Sequence, residues 1–71
     1  MSLYTSKKKQ NVLLTSCPDD KLLNAIGIRQ GLTVKVVTRH PLGGPIVVRV
    51  NQRDIAIDKH LATAITAKVV T

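Results

Sequence analysis

Cys17, His40, His60 and the four aspartates Asp19, Asp20, Asp54 and Asp58 are the side chains of this 71-residue chain most able to ligate a metal, attack a substrate or carry a proton. Their spacing assembles none of these functions. No pair stands at a CxxC or HxxxH interval, so no intrinsic high-affinity metal site is expected. Ser2, Ser6, Ser16 and Cys17 have no histidine close in sequence to act as base, and neither Asp pair is marked out for two-carboxylate acid–base work. Asp19 and Asp20 read as helix-start charges, Asp54 and Asp58 as solvated strand ends, and the two histidines as polar rim residues. Cys17 precedes Pro18 near a helix start, where a thiolate would be modestly favoured; it reads instead as a partly buried structural cysteine. The expectation is a protein without catalytic residues, cofactor or metal ligands.

The most informative segment is Pro41-Leu42-Gly43-Gly44-Pro45. Pro41 fixes its own φ and pushes His40 toward an extended backbone; the glycines allow shapes barred to other residues. Pro45 withholds a ladder hydrogen bond where the next strand begins. One reading is a tight strand connection, since Gly and Pro are the usual turn formers. The other is a loop that holds Leu42 outward as an apolar anchor for a partner. Arg39, Leu42, Gly43 and Gly44 are the candidate partner-binding residues, with Leu22 and Ile26 expected as core support for that face. A phosphate cradle is the least favoured reading, because the strand–GxxxxGK[ST]–helix setting is missing.

Composition narrows the class of partner. Seven Lys and four Arg face four Asp and no Glu, a net charge of +7, which favours nucleic acid, an acidic protein face or an anionic membrane surface. Tyr4 is the sole aromatic residue. Single-strand nucleic-acid binding relies on stacking aromatics and proline-rich peptides on aromatic grooves, so both are disfavoured. A basic small-barrel nucleic-acid-binding protein remains the alternative function. The Lys7-Lys8-Lys9 run reads as solvated, and residues 1–10 as a basic N-terminal tail. Its Met1-Ser2-Leu3 start could be a cloning remnant and is left out of the fold reading. A lone cysteine rules out an internal disulfide and suits a reducing cytosol. No apolar stretch approaches the ~20 residues of a membrane span, so no membrane insertion is expected.

These residues must be positioned by short elements. With 44% hydrophobic residues and no Phe or Trp, the core has to come from Val, Ile and Leu. Val12-Leu13-Leu14 predicts a first strand. Ser16 as cap, Pro18 early, Leu22, Leu23 and Ile26 at helical spacing and Gly27 as terminator predict one helix of two to three turns. Alternation predicts strands at 32–37, 46–50 and 55–57, with Asn51-Gln52 as a two-residue hairpin loop. A short helical turn at 58–62 and a last strand over 65–70 follow. Residues 11–71 therefore read as a mainly β domain: a small SH3-like barrel of about five antiparallel strands, with one short helix after the first, whose closure removes most of the exposed edges.

This ordered set resembles FeoA-type domains. The likeness lies in Leu22-Leu23-Asn24-Ala25-Ile26-Gly27-Ile28, Arg29-Gln30-Gly31, Val34-Lys35-Val36-Val37, the Pro41–Ile46 loop and Ile55-Ala56-Ile57, and it covers roughly residues 12–70. Leu3 to Gln10 departs from the hydrophobic opening and Gly-containing turn of many members. The resemblance implies a cytoplasmic, non-enzymatic accessory or regulatory protein of bacterial ferrous iron transport, with a family-level association with transition-metal ions. It implies as partner the cytosolic GTPase-containing region of an FeoB-like membrane transporter, with no stable nucleic-acid complex, and leaves homo-oligomers open. The same fold class occurs at the C-terminus of iron-dependent repressors of the diphtheria-toxin-repressor type.

Overall fold

The computed structural model describes residues 1–40 and 42–70. A single 3₁₀ turn at Leu3–Thr5 precedes β1 (Asn11–Ser16), α1 (Lys21–Ile26), β2 (Thr33–Thr38), β3 (Ile46–Val50), β4 (Arg53–Ile57), α2 (Lys59–Ala64) and β5 (Thr66–Val69). The strands form one antiparallel sheet in the order β4-β3-β2-β1-β5. This is the mainly β, five-stranded SH3-like arrangement that the alternation predicts.

Alternate residues point to one face, and that face supplies the core. Val12 stands opposite Val34, Val36 opposite Val48, Ile46 opposite Ile57 and Leu14 opposite Ala67, all buried. Leu23, Ile28, Ala62 and Ile65 complete the same cluster. One sheet face that encloses one core has to wrap around it, and the Cα extents of 26 × 24 × 23 Å fit that shape. Two register shifts aid the bending, one between Leu14 and Ser16 and one between Val36 and Thr38.

Three local signals act as read. Asn51 and Gln52 take φ of 48° and 70°, the twist a two-residue hairpin needs, and Val50 pairs directly with Arg53. Gly27, at φ 83°, ends α1 in the left-handed conformation. The short helical turn near residue 58 is α2, six residues long, and the last strand follows it.

Three expectations need correction. Ser16 is not the cap of α1: it ends β1 opposite Thr66. The cap is Asp20, whose Oδ1 accepts from the N–H groups of Leu22 (2.8 Å) and Leu23 (3.2 Å), and the helix is six residues long. Closure is not achieved by strand pairing alone, since the ladder ends at β4 and β5. Finally, residues 1–10 are not a tail. Leu3 and Ser6 are completely buried, and Tyr4 packs against the core. Ser2 bridges Thr66, the Ala67 N–H donates to Met1 O (2.7 Å) and the Leu3 N–H donates to Ile65 O (2.7 Å). The start of the chain thus lies along the outer edge of β5, and its 3₁₀ turn packs on α2. A strand edge with free N–H and C=O groups and a gap in an aliphatic core are both costly, and this one segment covers both.

Leu3→Ala is therefore expected to lower unfolding stability by about 2–5 kcal/mol, as for other fully buried leucines. Urea denaturation monitored by circular dichroism checks this; a change near zero would restore the tail reading.

Candidate functional site: the loop between strands β2 and β3

The register shift at the end of β2 releases the chain into the loop that carries Arg39, His40, Leu42, Gly43 and Gly44. The effect expected of Pro41 lies outside the described residues. Leu42 is 98% exposed, the most exposed large apolar side chain among the described residues. A leucine so placed gains nothing from the fold of its own chain.

The two glycines hold this loop for different reasons. Gly43 has φ 92°, where a side chain is strained. Gly44 is outside the left-handed region but lies against His40: a Cβ there would stand 2.9 Å from the His40 Cβ and 3.0 Å from its Cγ. The loop is closed on itself by that contact and by a Gly43 N–H bond to His40 O (3.2 Å). Tyr4, expected to lie outside the barrel, ties the loop to the body: its hydroxyl donates to Gly44 O at 2.8 Å. Lys59 of α2 completes the base. Its Nζ lies 5.8 Å from the centre of the Tyr4 ring and within 4 Å of where a Gly43 side chain would begin.

Tyr4 and Lys59 are thus the site residues that sequence reasoning missed. The lone aromatic in an aliphatic chain is the signal that could have found Tyr4. Beside them, Lys59, His60, Thr63 and Ala64 line an open depression of about 520 Å³ on α2. Leu22 and Ile26, expected to support this face, do not. Leu22 is 56% exposed, and the carbonyl of Ile26 accepts from Arg53, just past the hairpin at the far end of β3. The loop and α1 sit at opposite ends of that strand.

The remaining reactive side chains stay dispersed. Among the described residues, no three of the His, Cys, Asp and Glu side chains are grouped to hold one ion. Cys17 is half-buried, and burial pushes its thiol pKa up, away from the reactive thiolate. Asp54 is held below its usual pKa by a hydrogen bond and the charge of Arg49 (2.8 Å), which is itself raised by the same bond. Asp58 Oδ1 caps α2 through the Leu61 N–H (2.8 Å). No described helix is long and apolar enough to cross a membrane. The arrangement can present an apolar tip on a braced, basic loop.

Gly44→Ala is expected to destabilise the protein by about 1–3 kcal/mol, because the new methyl group must displace His40. His40→Gly in the same chain should return most of that loss, and a double-mutant cycle from thermal melts measures the coupling. Additive effects would mean that the two side chains do not meet.

Comparison with known proteins agrees with this architecture. Iron(II) transport protein A from Clostridium thermocellum superposes with a TM-score of 0.88 and 27% identity, over 99% of this chain and 46% of that one. The FeoA protein from Chlorobium tepidum gives 0.84 and 27%, over 100% of this chain and 71% of the other. An iron uptake regulatory protein, FeoA, gives 0.86 and 24%, over 99% and 96%. The manganese-activated repressor ScaR, in its Zn2+-bound form, shares the fold at 18% identity and a TM-score of 0.84, and this chain spans about a third of its length. This chain spans about half of the Clostridium thermocellum protein. No curated protein matches the sequence significantly. The FeoA domain model matches residues 1–69, including the segment that plugs the β5 edge, and the chain belongs to the FeoA domain family.

Proposed function

We propose that this protein is an accessory or regulatory component of bacterial Fe(II) uptake. In this reading it acts in the cytoplasm, without catalysis, by docking on the cytosolic GTPase-containing region of an FeoB-like transporter. Family membership supports the link to iron transport. The observation that carries the docking site is Leu42, 98% exposed at the tip of a loop braced by Gly43, Gly44, Tyr4 and Lys59. A pre-formed loop loses little conformational freedom on binding, so the burial of Leu42 in a partner is retained as affinity. Arg39, exposed on the same loop, adds a positive charge beside the apolar tip. Such a protein modulates transport only if it binds one conformation of the transporter better than another.

The test is a titration of the whole chain against the isolated cytosolic domain of an FeoB-like transporter, with RNA as a parallel ligand. Saturable binding is expected, and Leu42→Ser should weaken it about tenfold or more, the loss of one buried leucine. The melting temperature should stay within the range of an ordinary surface substitution. Unchanged binding by the variant would remove the loop from the interface. Binding to RNA alone, collapsing as salt is raised, would overturn the iron-transport reading.

A further inference from the structure

The Lys7-Lys8-Lys9 run is a built turn. The Lys7 N–H donates to Gln10 Oε1 (2.9 Å) and the Gln10 N–H returns to Lys7 O (3.2 Å). The Lys9 N–H donates to Val36 O (2.7 Å), and the Val36 N–H to Gln10 O (2.9 Å), so the turn is sewn to β2. Lys9 is held at φ 73°, a conformation that glycine adopts without cost; the turn keeps a third ammonium group there instead. All three side chains are exposed. Lys35, also exposed, stands opposite Asn11 at the start of β1 and adds a fourth cation.

Among the described residues, no aspartate side chain is paired with this group. Asp19 and Asp20 lie beyond the far end of β1, with Asp20 committed to the α1 cap. Asp54 is paired with Arg49, and Asp58 caps α2. One aliphatic side chain borders the same patch. Val70, 45% exposed, is bonded through its N–H to Asn11 O (2.9 Å), next to the turn, whereas Val69 stands opposite the buried Val12 and so belongs to the other face.

We infer that this patch is a contact surface for an anionic phospholipid bilayer, on which the protein rests peripherally. Three features select lipid over the other anionic partners. The free cations of the patch are lysines, since Arg49, which stands opposite Lys35, is engaged by Asp54; lysine suits a diffuse layer of phosphates, whereas carboxylate and nucleic-acid phosphate recognition favours the planar fork of arginine. Lysine is depleted at protein–protein interfaces. The exposed Val70 has no aromatic neighbour for base stacking, but it matches the acyl boundary beneath a headgroup layer, as on other interfacial surfaces. The inference does not depend on the docking reading, since Leu42 and its loop take no part in it. It is compatible with the absence of a spanning helix among the described residues, because the contact is superficial.

Vesicle co-sedimentation of the intact chain tests it, with phosphatidylcholine vesicles that contain or lack phosphatidylglycerol. Binding is expected only with phosphatidylglycerol, and it should weaken as salt rises. Each lysine near such a surface is worth about a fivefold gain in partitioning, so Lys7→Gln, Lys8→Gln and Lys9→Gln combined should lower it about 100-fold. Val70→Ser should cost a smaller, severalfold loss with little sensitivity to salt. The substituted side chains are exposed, and thermal melts confirm that each variant is folded. Absence of binding to phosphatidylglycerol vesicles at low salt would overturn the inference, as would wild-type partitioning by the triple variant. Because no transporter is present in the assay, neither result bears on the Leu42 interface.

Discussion

An enclosed core made only of aliphatic side chains depends on the completeness of its cover. Val, Ile and Leu give no polar handle and no large ring to bridge a gap, so any opening in the sheet exposes the core directly to water. Here the ladder stops at β4 and β5, and the cover is completed by Leu3, with Ser2 and Met1 paired along the β5 edge and α2 lying across the 3₁₀ turn. That choice propagates. It brings Tyr4 to the β2–β3 loop, Tyr4 anchors Gly44, and Lys59 joins the pair from α2. The candidate docking loop is therefore braced by the same segment that seals the barrel. A change in that segment reaches the loop through the hydrogen bond from the Tyr4 hydroxyl to Gly44 O.

Much of this architecture was legible from local pattern. The period-2 runs at Val34–Val36 and Ile46–Val50 bury as alternation demands, because one-sided burial fixes which residues face inward. Asn51-Gln52 and Gly27 were readable because positive φ is a chemical requirement of the hairpin and the helix end, and few residues meet it. What failed was non-local or ambiguous. Ser16 and Asp20 are both good capping residues, and the register of β1 against β5 decides between them by drawing Ser16 into the sheet. Leu3 carries no period at all, and its burial is set by the edge of a strand more than sixty residues away.

The site was legible as a place but not as a construction. Leu42 stood out because two glycines and two prolines surround an apolar residue that no strand or helix claims. The reason for each glycine was hidden. Gly43 answers a backbone angle and Gly44 a side-chain collision with His40, and only the second depends on a residue outside the Gly-Gly pair. Leu22 and Ile26 were misplaced because closeness in a linear motif carries no information about which end of β3 a helix reaches.

Charge is arranged with the same economy. The four aspartates are each drawn into local structure: Asp20 and Asp58 as caps, Asp54 with Arg49, and Asp19 accepting from Asn24 at 3.3 Å. An acid bound to its own helix end is partly neutralised by the backbone N–H groups it accepts from, and it screens no distant lysine. The Lys7–Lys9 turn beside Lys35 is therefore a part of this +7 chain that no described aspartate is paired with. A chain with the same composition but with its aspartates on that edge would fold by the same caps and hairpins. It would present no electrostatic face there. The distribution of a few carboxylates, more than the number of lysines, decides which side of this small barrel attracts an anionic surface.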